Sequence, residues 1–178
     1  MLDMSASRFD PENLAFSLAI RLYRATEEED IEKLRAIPRR GKELPQLVAQ
    51  IGLVSSLAFY MSKIERADIY TQLYRYLVED KEPSQDLRQV IVEDCKKEGG
   101  GYTVLLALMG AFISKTALDN IINIDVCKNV EKIFDLARCL KDIRESGNEI
   151  ILEKYSIRFL TVLKRLLEAL FGREKQER

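Results

Sequence analysis

The chain has 178 residues, enough for one domain with a buried core; 47% are hydrophobic and 32% are charged. Its formal net charge is −1, so no overall positive field draws it to nucleic acid or an anionic membrane, and RNA contact would need a local basic patch. It contains no histidine, which excludes histidine general-base catalysis, Ser–His and Cys–His nucleophile pairs, and most transition-metal sites.

The three cysteines, Cys95, Cys127 and Cys139, are odd in number and show no CxxC spacing. Helical periodicity places Cys127 and Cys139 in one helix, too far apart along it to form a disulfide. Three free thiols are typical of a reducing cytoplasm. The first residues lack the apolar segment of a signal peptide, and the longest apolar run, 104–113, is shorter than the about 20 residues that span a bilayer. We therefore expect a soluble cytoplasmic protein.

Helical periodicity accounts for most of the chain, and no β alternation of useful length interrupts it. Asp10 suits the N-cap and Pro11 the first turn of a first helix, which we expect to continue to about Leu34. The stretch 38–41 then ends this helix in a loop. The spacing of apolar residues predicts further helices at about 44–64, 66–79, 85–98, 104–118, 125–146 and 149–171.

The predicted fold is all-α: an antiparallel bundle of six or seven helices joined by short loops, in one domain over residues 1–178. The helix over 104–118 is apolar on nearly all sides, so we expect it at the centre of the bundle. The triple glycine at 99–101 is the clearest flexible joint and a possible subdomain boundary. It does not match a phosphate-binding loop, because no Gly-Lys-Ser/Thr follows it.

The second predicted helix carries two residues that are unusual in a helix. Pro45 has no backbone N–H and therefore suits the first turn. Gly52 lies in the middle, where glycine costs about 1 kcal/mol relative to alanine. A glycine in such a place lets another backbone approach closely or permits a kink. The apolar run that follows closes on Ala-Phe-Tyr-Met-Ser-Lys, in which Phe59 and Lys63 form an i, i+4 pair.

This pattern of Pro45, then Gly52-Leu53, then Ala58-Phe59 resembles the small helical subunit of the type III-B CRISPR–Cas (Cmr) RNA-silencing complex. The opening and closing helices look like the same family, and the resemblance does not extend to residues 96–148. It implies a non-catalytic helical subunit that packs along the RNA-bearing filament of the complex. Its partners would be other Cmr subunits, copies of itself, CRISPR RNA and target RNA. We expect the isolated chain to be monomeric or weakly self-associating, without membrane contact.

The resemblance also implies a role for the basic clusters, because small subunits of such complexes line a basic groove beside the guide–target duplex. One cluster is expected in the loop after the first helix, one at the end of the second helix, and one on the last helix. Contacts of this kind hold RNA by its phosphates without reading its sequence. The candidate RNA-binding residues are Arg39, Arg40, Lys42, Lys63, Arg66, Lys164 and Arg165.

Other interpretations of the same residues stay open. Each basic cluster taken alone is typical of a solvated helix face. Tyr70 and Tyr74, one turn apart, could stack on bases, but packing against a neighbouring helix explains them better. The alternative function is a helical adaptor or regulator that binds only protein. We expect no enzyme activity, cofactor or metal site, since histidine and nucleophile motifs are missing.

Overall fold

The computed structural model describes residues 9–97 and 99–172, and these contain eight α-helices and no β-strand. The all-α prediction is therefore confirmed, with one or two helices more than expected. Two short 3-10 turns, Ile31–Leu34 and Asp125–Lys128, lie in connections between successive helices. The helices are α1 Pro11–Thr26, α2 Ala36–Ile51, α3 Leu53–Ser62, α4 Ala67–Val78, α5 Gln85–Lys96, α6 Tyr102–Leu118, α7 Ile133–Glu145 and α8 Glu149–Phe171.

The first helix begins as predicted, since the Asp10 carboxylate accepts hydrogen bonds from the first-turn backbone. Its predicted end is wrong: α1 stops at Thr26, whose hydroxyl bonds back to the carbonyls of the preceding turn. Asp30 then caps a separate 3-10 turn by accepting from the Glu32 N–H. Because α2 already begins at Ala36, the predicted loop at 38–41 is helical.

The prediction of a single helix over 44–64 is also wrong, because the chain leaves helical conformation at Gly52. This residue has φ 86° and ψ 165°, a backbone conformation that is essentially confined to glycine. It divides the segment into α2 and α3, so the kink alternative applies rather than a continuous helix. Pro45 lies inside α2 instead of in a first turn.

Helix α6 forms the centre of the structure. Fourteen of its seventeen residues are buried, as the apolar pattern predicts, and α2, α3 and α4 pack around it. Helix α8 packs against α1 and α2 on the outer side. Glu12, early in α1, pairs with Arg158 on α8, and Tyr23, later in α1, contacts Phe171, later in α8. These two helices therefore run parallel. The strictly antiparallel arrangement is therefore wrong for this pair.

The prediction of three free thiols is wrong, because Cys127 and Cys139 form a disulfide. They do not share a helix: Cys127 lies in the second 3-10 turn, and α7 begins only at Ile133. Between them the backbone is extended at Asn129 and Lys132, and the N–H and carbonyl of Val130 bond to the hydroxyls of Tyr74 and Tyr70. This extended stretch brings the two sulfur atoms together, while Cys95 stays free and buried.

The triple glycine forms a turn between α5 and α6 that packs against α2. Gly100 and Gly101 are buried, and Gly101 has φ 88°, which favours glycine. A Cβ at Gly101 would lie 2.8 Å from the carbonyl oxygen of Ala36. The possible subdomain joint at this position stays a prediction. In the described part of the chain, no helix has both the length and the apolar character needed to cross a membrane.

Candidate nucleic-acid interface

The seven predicted RNA-binding residues lie on three parts of the structure. Three are on α2, where the prediction of a loop is wrong; two flank the α3–α4 connection; and two are on α8. All except Arg40 and Lys164 are exposed, and Lys164 is half-buried. By element the residues are Arg39, Arg40 and Lys42 on α2, Lys63 and Arg66 beside the connection, and Lys164 and Arg165 on α8.

Arg40 is the buried member of the set, and its guanidinium is occupied by neighbours within the protein. Its Nε donates to the carbonyl of Gly100 at 3.1 Å, and its Nη1 is paired with Glu43. Its Cζ lies 3.9 Å from the centroid of the Tyr102 ring, a cation–π contact. In addition, the Tyr60 hydroxyl donates to the Arg40 carbonyl. Arg40 therefore holds α2 against the start of α6.

Helices α2 and α8 cross closely at Gly41, where an added Cβ would lie 2.9 Å from Cδ1 of Leu167. Next to this crossing, Lys42 Nζ lies 3.3 Å from Oε1 of Glu168. Lys164 precedes Glu168 by one helical turn, so both point to the same side of α8. We call Arg39, Lys42, Lys164 and Arg165 the α2–α8 seam.

The seam carries more positive charge than its immediate acidic neighbour can neutralise. Lys42 pairs with Glu168, and both side chains are partly exposed to solvent, so the pair contributes little to stability. Arg39, Lys164 and Arg165 make no ion pair with any described residue. Four basic residues therefore lie within three residues of the Gly41–Leu167 contact, on a chain whose net charge is −1.

An acidic region bounds the seam at the carboxyl end of α8. A cleft of about 570 Å³ lies there, and Gly172 forms part of its wall. Its other walls carry the acidic side chains Glu28, Glu29, Asp30 and Glu32, together with Ile31 and Arg35. Like charges repel, so a phosphate backbone on the seam would avoid this end.

The cations near the α3–α4 connection are more fully paired. Arg66 contacts Asp68 at 2.6 Å and Glu93 at 3.4 Å, and its bond to Asp68 raises the pKa of the guanidinium. Lys63 is different: its Nζ lies 5.0 Å from the ring centroid of Phe59. This confirms the i, i+4 neighbourhood predicted for Phe59 and Lys63.

Aromatic contacts join the two cationic regions through α2. From Arg40 the contacts pass to the Tyr102 ring, then to Phe59 at 6.1 Å between centroids, and then to Lys63. No local sequence pattern distinguishes Tyr102, because its partner Arg40 lies 62 positions earlier. Tyr70 and Tyr74 lie elsewhere and are buried, so the packing interpretation of these two residues is confirmed.

Comparison of the chain with protein-family models, with curated proteins and with solved structures gives no match. Within residues 9–97 and 99–172, no three Cys, Asp or Glu side chains are grouped closely enough to hold a metal ion. A proposal about function therefore rests on the charged and aromatic surfaces of this chain.

Proposed function

We propose that this protein is a non-catalytic, RNA-contacting subunit of a ribonucleoprotein, with the α2–α8 seam as its phosphate-binding surface. The single observation that carries the proposal is that four cations on two helices lie within three residues of the contact between Gly41 and Leu167, three of them without an ion pair among the described residues. Lys and Arg side chains on a rigid helix surface bind phosphates electrostatically and without sequence preference.

The sequence resemblance supports a specific setting for this activity. In that setting the chain is the small subunit of a type III-B CRISPR (Cmr) effector complex that acts in antiviral defence in the cytoplasm. It would pack along the backbone filament, beside other Cmr subunits and further copies of itself, and contact guide and target RNA. Three or four phosphate contacts give only weak binding at physiological salt, so the isolated subunit would depend on its partners for stable RNA capture.

Reconstitution with purified type III-B effector subunits and CRISPR RNA tests this setting. We expect the native chain to co-elute with the complex and to increase the capture of target RNA. The variant Arg39→Gln/Lys164→Gln/Arg165→Gln should co-elute equally well, because these side chains carry no core, but should capture less target RNA. Failure of the native chain to co-elute would contradict the assignment to this complex.

A control variant that removes the same number of charges shows whether the position of the removed charges matters or only the net charge of the protein. Three exposed cations lie on α7 or at its N-cap: Lys132, Arg138 and Lys141. Replacing these three by glutamine also removes three positive charges and should leave RNA capture unchanged. Equal loss of capture in both triple variants would show that only the net charge matters.

A second candidate function, a protein adaptor without RNA binding, is favoured by apolar side chains on the surface. Phe16 and Ile20, one turn apart on α1, are each about half exposed, and Ile157 on the neighbouring α8 is also exposed. Such side chains are suited to a partner helix. RNA capture that is insensitive to both triple variants would favour this function.

A further inference from the structure

We propose that the exposed face of α1 binds a second copy of this chain, in an antiparallel helix pair centred between Phe16 and Ile20. Both side chains are large and apolar, and they are 48% and 47% exposed. They lie one turn apart, so together they form an apolar strip on the outer side of the helix. The inference does not depend on RNA binding, because it assigns a protein contact to a helix outside the α2–α8 seam.

The core of the protein does not account for this strip. The opposite side of α1 supplies the core residues, and Ala15, Leu18 and Leu22 are each at most 3% exposed. A surface helix normally carries polar side chains on the face that points away from the core. Phe16 and Ile20 depart from that pattern at two positions that are neighbours on the helix surface. Burial of such a pair against another protein surface is favourable, because it removes apolar area from water.

The charges at the two ends of the strip make it complementary to itself. Glu12 lies one turn before Phe16, and Arg24 lies one turn after Ile20. In an antiparallel pair about a two-fold axis, Phe16 faces Ile20 of the second copy and Glu12 faces Arg24 of the second copy, and the symmetry repeats both contacts. A shift of one turn in either direction would place Glu12 opposite Ile20 or Glu28. The order of acid, apolar, apolar and base therefore favours a second copy in one register.

Both charged side chains are available for such a contact. Arg24 is exposed and forms no ion pair with any described residue. Glu12 pairs with Arg158 of its own chain through Oε1 at 3.3 Å, but its side chain is 50% exposed, so Oε2 can accept from Arg24 of the second copy. The formal net charge of −1 gives little overall repulsion between two copies.

The size of the contact predicts a weak dimer. Helix α1 has 16 residues, which corresponds to a length of about 24 Å. One face of a helix of this length is smaller than the about 800 Å² that each partner contributes to a stable interface. We therefore expect the dimer to form at protein concentrations between about 10 µM and 1 mM.

Sedimentation equilibrium of the full chain over this concentration range tests the apolar part of the contact. Phe16→Ala should weaken the dimer by about tenfold or more, since it removes the central aromatic side chain from both copies. Phe134→Ala is the matched control, because Phe134 lies on α7 and is even more exposed, at 70%. This control should dimerise as the native chain does. Thermal unfolding shows whether each variant is folded.

Charge reversal tests the register. Glu12→Arg places two cations in each charged contact, and Arg24→Glu places two carboxylates there. Because like charges repel across an interface, each variant alone should dimerise about tenfold more weakly than the native chain, or worse. An equimolar mixture of the two variants has an acid opposite a base in both contacts. The mixture should therefore dimerise about as well as the native chain.

Three outcomes would overturn the proposal. A native chain that stays monomeric over the whole range would leave the apolar strip to a different protein, as the adaptor function requires. A native dimer with a mixture no stronger than its separate variants would show that the copies meet through another surface or in another register. Equal weakening by Phe16→Ala and Phe134→Ala would show that the strip on α1 has no special part in the contact.

Discussion

The Glu153 carboxylate on α8 accepts a hydrogen bond at 2.8 Å from the backbone N–H of Leu53, the first residue of α3. One turn earlier on α8, Glu149 accepts from the Val54 N–H at 3.1 Å. Two carboxylates from a distant part of the chain therefore cap a helix that has no side-chain cap of its own. Negative charge at this position also interacts favourably with the helix dipole.

Glu153→Ala should destabilise the protein by about 1 kcal/mol, the usual effect of losing a helix cap. The first N–H of α3 would then lose its partner next to a core residue, since Leu53 is fully buried. Urea unfolding measures the change. Glu145→Ala, which removes only the exposed pair with Lys141, should change stability by less than about 0.5 kcal/mol. Equal effects of the two substitutions would show that the cap contributes nothing.

Gly52→Ala should destabilise the protein by about 1–3 kcal/mol, because a Cβ is strained at φ 86° and ψ 165°. The added atom would also approach Glu153 Oε1 at 3.2 Å. Gly147→Ala provides a comparison: that residue has φ 76°, but its Cβ would meet no atom within 4 Å. We expect a smaller loss there by thermal unfolding, and the reverse order would contradict this account of the α2–α3 junction.

Reduction of the Cys127–Cys139 disulfide should lower the free energy of unfolding by about 2–3 kcal/mol, as expected for a short closed loop. Chemical denaturation with and without a thiol reductant measures this loss. Cys139→Ser should reproduce it and become insensitive to reductant. Cys95→Ser should keep the sensitivity, because Cys95 is unpaired. A native chain whose stability ignores reductant would show that the bond is not formed.

Asp94 should give the stability a pH dependence of unusual sign. Burial raises the pKa of its carboxyl above the ordinary 3.8, although the Thr103 hydroxyl and the Gly101 N–H donate to it and partly oppose the shift. The folded state therefore binds the proton more strongly than the unfolded state, and this group adds stability as the pH falls towards its unfolded pKa.

The neutral variant Asp94→Asn isolates that contribution. Its free energy of unfolding minus that of the native chain should be greatest at neutral pH and should decrease between pH 7 and about pH 4. Urea unfolding across this range provides the measurement. A difference that grows on acidification would mean that the hydrogen bonds to Asp94 outweigh its burial.

Local signals predicted the elements that depend on local interactions. Asp10 caps α1 through its own side chain, and the apolar run of α6 is buried as expected. The errors occur where distant residues decide the backbone. Gly52 ends α2 beside carboxylates about 100 positions away, and the backbone of Val130 is hydrogen-bonded to the hydroxyls of Tyr70 and Tyr74.

In the candidate interface too, the sequence shows which residues are basic but not how each one is packed. The sequence identified the basic residues, but their burial depends on tertiary contacts: Arg40 is enclosed by the α5–α6 turn, while its neighbour Arg39 is exposed. The disulfide could not be predicted, because its two cysteines meet only after the chain leaves helical conformation between them.

The salt dependence of RNA binding tests the central proposal most directly. Affinity for a single-stranded RNA is measured over a range of salt concentrations for the native chain and for Arg39→Gln/Lys164→Gln/Arg165→Gln. The variant with Lys132, Arg138 and Lys141 replaced by glutamine serves as the control with equal charge. We predict that the slope of log K against log salt becomes shallower by about 0.7–0.9 per lost contact in the seam variant and is unchanged in the control. Equal affinity and equal slope in all three proteins would contradict the α2–α8 seam as an RNA-binding surface.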